Sequence, residues 1–203
     1  MKEIWYVRHG ETEWNAQRRF QGHLDVPLSP VGIGQAFRLA ERLSRLYASD
    51  LRRARQTAEP LAQVLGLPIA TTPLLREIHV GELAGLTRAE AEARFPSFLA
   101  EAAKDPWNAR RPGGESMADL ARRLQAFLEE VPPGRHLVVT HGGVIRAALK
   151  LALDLAGDTW RRFHIQNTSI TRILYPENAV LTVADAAHLE VWADWLSDED
   201  LKG

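Results

Sequence analysis

The chain has 203 residues, 45% of them hydrophobic, enough to close one core of ordinary domain size. Its formal net charge of −1 supplies no global field to draw it towards nucleic acid or an anionic membrane, so any anion must be held by local groups. There is no cysteine, which excludes disulfides and thiolate catalysis.

The Met-Lys-Glu start leads directly into a strand rather than an apolar signal segment, and Lys150 and Asp154 interrupt the longest apolar run. A soluble cytoplasmic protein without a membrane span is the expectation. Arginine outnumbers lysine 21 to 4, which outside a motif reads as genomic composition rather than as a phosphate-binding signature.

In chain order, Ile4 to Val7 reads as a short buried strand. Ser29 and Pro30 place an N-cap and a first-turn proline before Ile33, Ala36, Leu39, Ala40 and Leu43, which fall on one helical face. Leu46 to Ala48 is a second short strand, leading into a helix through Ala54, Ala58, Leu61, Ala62 and Leu65 that Gly66 can terminate and that Pro60 should kink or split. Pro68 to Thr72 reads as a third strand. Thr87 to Phe95 reads as a small helix with a Thr87/Glu90 capping box, stopped by Pro96. Lys104 to Gly114 has no periodicity and reads as a loop; Ser116 then caps a helix with the apolar stripe Met117, Leu120, Leu124, Phe127 and Leu128.

Leu137 to Thr140 is a fourth strand, followed by an apolar helix over Val144 to Leu155. Ser169 to Tyr175, Val180 to Ala184 and His188 to Trp192 look like edge strands or a terminal hairpin. Repeated strand-then-helix units imply a single α/β domain over 1–203, with a mostly parallel central sheet covered by helices on both faces. A site at the C-terminal ends of the strands follows from that architecture.

The most specific signal is Arg8-His9-Gly10-Glu11-Thr12-Glu13-Trp14-Asn15 at the end of the first strand. A second imidazole follows the fourth strand in Val138-Val139-Thr140-His141-Gly142-Gly143. Two imidazoles delivered from strand ends, each beside a glycine that lets backbone and ligand approach, suit phosphoryl chemistry on histidine. Together with Ser49-Asp50-Leu51-Arg52-Arg53-Ala54-Arg55-Gln56-Thr57-Ala58, these strings resemble the histidine phosphatase superfamily, also called phosphoglycerate mutase-like, over nearly the whole chain.

The resemblance implies roles residue by residue. His9 matches the phosphorylated nucleophile, and Arg8 beside it a phosphate contact. Arg53 matches the second phosphate clamp, whereas Arg52 and Arg55 miss the motif position and suit a solvated helix start. His141 matches the second histidine, which donates a hydrogen bond to the phosphate. The segment Leu75-Arg76-Glu77-Ile78-His79-Val80-Gly81-Glu82 resembles the one carrying the general acid, with Glu77 at the motif position and Glu82 as runner-up. Asn15, Gln21, Gly22 and Gly142 lie where relatives place contacts to the substrate phosphate. Gln21 departs from the threonine that phosphoglycerate mutases tend to carry there, and Asn15 equally suits a turn cap.

The histidines His23, His79, His136, His164 and His188 have no partner at metal-ligand spacing and read as surface or satisfied structural residues. No metal and no cofactor are implied. Mutase and phosphatase share the phosphohistidine step and differ in the lid, expected here at about 87–114. Cofactor-dependent mutases of the family are longer, with an insertion and a tail that shelter the phosphoenzyme, whereas this segment is short.

The chain looks more like the small bacterial phosphatases, a metal-independent phosphomonoesterase acting on a small phosphorylated metabolite. The alternatives are a bisphosphoglycerate-dependent phosphoglycerate mutase and a catalytically inactive phosphate-binding module. The roles of Arg110 and Arg111 are open between a substrate carboxylate and a second phosphate, and the sequence leaves a homodimer open.

Overall fold

The computed structural model describes residues 1–36 and 43–189. Six strands form one sheet: β1 (Lys2–Arg8), β2 (Arg45–Ser49), β3 (Ile69–Thr72), β4 (Gly134–Thr140), β5 (Ile170–Tyr175) and β6 (Ala179–Asp185), in the order β3-β2-β4-β1-β5-β6. The first four in that order run parallel; β5 returns antiparallel to β1, and β6 pairs antiparallel with β5 as the edge. The two late β-like runs therefore close one side of an otherwise parallel sheet.

Because successive side chains on a strand point to opposite faces, β1 feeds two cores. Ile4 and Tyr6, with Val138 of β4, join the core built with α6 (Met117–Glu130) and α7 (Gly142–Leu153). Trp5 and Val7, with Leu137 and Val139, join the one built with α3 (Arg52–Leu65). Each fully buried side chain of this kind contributes about 1.5–3 kcal/mol, so near-continuous apolar strands are what a sheet covered on both faces requires.

Helix ends follow the local signals. Thr87 and Ser116 each complete a capping box, for α4 (Arg88–Arg94) and α6 respectively, and Gly66 ends α3 in the left-handed conformation at φ 64°. Three expectations are corrected. Pro60 does not split α3, which runs unbroken through it. Its side chain packs in the buried face, and that packing offsets the one amide donor it lacks.

The small helix α4 does end ahead of Pro96, at Arg94, and Pro96 then opens a further helix, α5 (Pro96–Lys104), because a proline at the first helical position gives up only an amide that has no intrahelical partner. In α2 (Pro30–Ala36), Ile33 is 44% exposed rather than part of an apolar face, and Leu43 lies outside helix; Leu39 and Ala40 fall outside the described residues. The run expected as a strand over His188 to Trp192 opens instead inside a short 3-10 turn, Ala187–Leu189, and its remainder lies outside the described residues. No helix among the described residues is long and apolar enough to cross a membrane.

Candidate active site

In the β1–β4 register Arg8 lies opposite Thr140, so the residues that leave the two strands next are His9 and His141. One strand spacing therefore separates the imidazoles, and their ring centroids are 5.1 Å apart with the planes at 59°. The amide of His9 donates to the Thr140 carbonyl at 2.9 Å, carrying the pairing one residue past the strand. Asn167 holds the same backbone from the other side, its Nδ2 donating to the His9 carbonyl at 2.7 Å. The neighbouring Thr168 amide donates to the Arg8 carbonyl at 3.0 Å. Thr168 is buried at φ 57°, a conformation that costs a β-branched residue about 1–3 kcal/mol and persists only where surrounding contacts impose it.

The tautomer of His9 follows from one contact. Its Nδ1 lies 2.6 Å from the Gly10 carbonyl, which can only accept, so Nδ1 carries the proton and Nε2 keeps its lone pair. Burial, then the charges of Arg53 and Arg8, hold the His9 pKa well below the ordinary value, so the ring stays neutral. His141 is likewise held well down by burial and by Arg53, and neither of its ring nitrogens has a hydrogen-bond partner.

The two cations, Arg53 buried and Arg8 partly buried, each keep a spare donor. Arg53, fully buried, donates to the carbonyls of Leu24 at 2.9 Å and Gly22 at 3.0 Å, and Arg8 donates to that of Ile165 at 2.6 Å. The Nε of each is buried without a partner. Burial pushes both guanidinium pKa values down to about 10, still cationic at neutral pH. Buried donors without acceptors are costly, and three such N–H groups, the Nε of Arg8, the Nε of Arg53 and the one ring N–H of neutral His141, beside a neutral His9 suit an incoming anion.

Glu77 approaches from the loop after β3. Its carboxylate accepts from the Ile78 amide at 2.8 Å and the Gly143 amide at 3.2 Å, at the start of α7. A Cβ at Gly143 would fall 2.2 Å from Glu77 Oε1, so only glycine admits the carboxylate there. Glu82 is exposed and lies by Gly113, away from the histidines.

Other expected contacts are engaged in structure. Asn15 Oδ1 accepts from the Thr12 amide at 3.0 Å, completing the capping box of the short helix Glu13–Ala16, and Gln21 Oε1 accepts from the Thr12 hydroxyl at 3.1 Å. Gly22, at φ 51°, holds Arg53 through its carbonyl. Gly142 opens α7, where helix amides lack intrahelical partners. Arg52 and Arg55 are exposed.

Among the remaining histidines, His23 Nε2 donates to the Glu77 carbonyl at 2.6 Å and the ring meets His79 edge-on, while His136 bonds the Pro132 carbonyl at 2.9 Å. Among the described residues no three His, Asp or Glu side chains group as a metal site.

Sequence reasoning missed Arg146, whose charge acts on Arg8 and which faces Glu77. Its position four residues after Gly142, on one helix face, was an available signal. It also missed Asn167, which has no motif around it. Arg110 and Arg111 separate: Arg110 is exposed and paired with Asp119 at 3.2 Å, whereas Arg111 turns inward, donates to the Glu115 carbonyl at 3.0 Å and feels the charge of Glu77.

A mostly parallel sheet presenting paired histidines and two arginines at its carboxyl edge defines the class of α/β protein to which the chain belongs. The model of the histidine phosphatase superfamily (branch 1) matches residues 4–185, and the chain belongs to that family. Among curated relatives, the probable phosphoglycerate mutase GpmB of Yersinia pestis is 36% identical over 207 residues, covering 94% of this chain and 96% of the relative. Among solved structures, TTHB049 from Thermus thermophilus is 36% identical with a TM-score of 0.71, covering 90% of this chain and 98% of that one. A mycobacterial glucosyl-3-phosphoglycerate phosphatase, Rv2419c, in complex with VO3, is 33% identical with a TM-score of 0.73, covering 86% and 93%.

Proposed function

We propose that the protein is a metal-independent phosphomonoesterase of the cytoplasm that hydrolyses a small phosphorylated metabolite through a phosphohistidine at His9. The carrying observation is the neutral His9 ring with Nδ1 committed to the Gly10 carbonyl, 5.1 Å from a His141 whose nitrogens have no partner. In this reading Nε2 attacks phosphorus as the ester P–O bond breaks, and Glu77 gives the departing alkoxide its proton. Arg8, Arg53 and His141 hold the phosphoryl oxygens throughout. A water then yields its proton to Glu77 and attacks the phosphohistidine, breaking the P–N bond and releasing inorganic phosphate.

The test is incubation with p-nitrophenyl phosphate and excess chelator. Steady release of p-nitrophenol, with acid-labile, base-stable phosphate on rapidly quenched enzyme, is expected; no release on any ester would leave a binding module. The likeness to the probable phosphoglycerate mutase GpmB of Yersinia pestis favours a second reading, a phosphoglycerate mutase. Supplied with a monophosphoglycerate and a trace of bisphosphoglycerate, a mutase would interconvert the monophosphates at least about a hundredfold faster than it releases phosphate. The hydrolase reading predicts the reverse order, because the short segment over 87–114 gives water access to the phosphoenzyme.

A further inference from the structure

Between the 3-10 turns Pro73–Leu75 and Gly81–Leu83, the residues 76–80 that carry Glu77 have no helix or strand to hold them. Backbone polar groups in such a segment must find partners elsewhere. Thr140, the residue before His141, donates its hydroxyl to the Leu75 carbonyl at 2.8 Å. Three further groups go to one ion pair. Arg123 of α6 donates through Nη1 to the Leu74 carbonyl at 2.7 Å and through Nη2 to the Glu77 carbonyl at 3.2 Å. Its Nε and Nη2 grip the two carboxylate oxygens of Glu115 at 2.9 and 3.0 Å, and that carboxylate accepts from the His79 amide at 2.9 Å. The Glu115 amide returns a bond to the His79 carbonyl at 2.8 Å.

The side chains of Arg123 and Glu115 are only 19% and 20% exposed, and a guanidinium fork on a carboxylate fixes both partners in one geometry. Helix α6 is already anchored by Leu120, Leu124 and Phe127, all buried in the core. What the pair adds is a fixed backbone from Leu74 to His79. Within that span the Glu77 carboxylate reaches the Gly143 amide at 3.2 Å, near the limit of a good hydrogen bond, so a small backbone shift would break it. His23 gives the Glu77 carbonyl a second donor, at 2.6 Å, from the loop whose Gly22 and Leu24 carbonyls hold Arg53.

We propose that Arg123 and Glu115 are a positioning pair: without touching substrate, they fix the backbone of 74–79 so that the Glu77 carboxyl stands where it can give its proton to the departing oxygen. The proposal rests on the phosphomonoesterase reading and adds to it the two residues through which the acid is held. Proton delivery falls steeply when the donor is misplaced, whereas Arg8, Arg53 and His141, which hold the phosphoryl oxygens, lie on other segments.

Arg123→Lys keeps the charge but offers one ammonium where the fork makes four bonds. In single-turnover phosphorylation it should slow glycerol 2-phosphate at least about tenfold and p-nitrophenyl phosphate less than about threefold. Inorganic phosphate, followed by calorimetry, should bind within about twofold of its wild-type affinity. Combined with Glu77→Gln, the same substitution should add less than about twofold to the loss on glycerol 2-phosphate, since a displaced acid and an absent one act alike. Glu115→Gln, which retains an oxygen for the His79 amide, should show the same ester dependence, and it carries the test if Arg123→Lys does not fold. Equal losses on both esters, or losses that multiply in the Glu77→Gln background, would mean that the pair only stabilises the fold; they would overturn the positioning role and leave the hydrolase reading standing. A wild-type protein that takes phosphate onto His9 from neither ester would defeat the hydrolase reading and the role together.

Discussion

At the scale of single residues, the proposed chemistry rests on His9 being neutral with Nε2 free. His9→Ala removes that nitrogen at a strand end rather than in the apolar core, so the fold should survive while turnover falls by several orders of magnitude. A variant keeping more than about a tenth of the activity would rule out covalent catalysis at this residue. Glu77→Gln makes a finer claim, because a general acid matters in proportion to how poor the leaving group is. Single-turnover phosphorylation should slow much more for alkyl phosphates than for p-nitrophenyl phosphate, whose phenolate departs without a proton. Equal losses for both ester classes would reassign Glu77 to positioning, a role its bonds to the Ile78 and Gly143 amides also permit.

At the scale of elements, two glycines near the site should respond oppositely to alanine. At Gly143 the added Cβ meets only the end of the Glu77 side chain, at 2.2 Å from Oε1, which can swing away at small cost to the fold. Gly143→Ala should therefore lower turnover by about tenfold or more while costing less than about 1 kcal/mol of stability.

Gly81, by contrast, sits at φ 56°, and a Cβ there would lie 1.9 Å from the Pro112 carbonyl oxygen, a backbone atom of the loop that carries Arg111. Gly81→Ala should cost about 2–4 kcal/mol, seen as a lowered urea midpoint, because strain and a backbone clash act together. A Gly143→Ala protein that loses stability but keeps its rate would show that the Glu77 carboxylate is not held where the structure puts it.

For the whole molecule, burying two imidazoles among cations sets a pH dependence of stability. Burial first, and Arg53 next, depress both His9 and His141. Above about pH 6.5 the rings are neutral folded or unfolded; below it the unfolded chain takes up protons that the buried rings refuse. The stability they contribute is thus fully present above the ordinary histidine range and is lost as pH falls through it, at up to about 1.4 kcal/mol per pH unit for each ring. The urea midpoint should drop between pH 7.5 and 5, and His141→Gln should flatten that slope. A midpoint rising on acidification would mean that the site stabilises an imidazolium.

What this sequence determined by itself is what contiguous residues encode. A strand ending in Arg8-His9-Gly10, another ending in His141-Gly142-Gly143, and helix boundaries written by Thr87, Ser116 and Gly66 depend on local periodicity, capping and backbone freedom. These suffice to put Arg8, His9 and His141 at strand ends, whereas Arg53 and Glu77 were legible only through the resemblance of their segments to the family. The tertiary structure alone decided which nitrogen of His9 is free, that Arg111 turns inward while Arg110 pairs outward, and that Asn167 and Thr168 clamp the backbone of Arg8 and His9. It alone also made a cavity from Phe20, Phe98, Arg111 and Arg161. Those features come from segments far apart in the chain, joined by burial and register, and no local rule carries the side-chain contacts that chain closure creates.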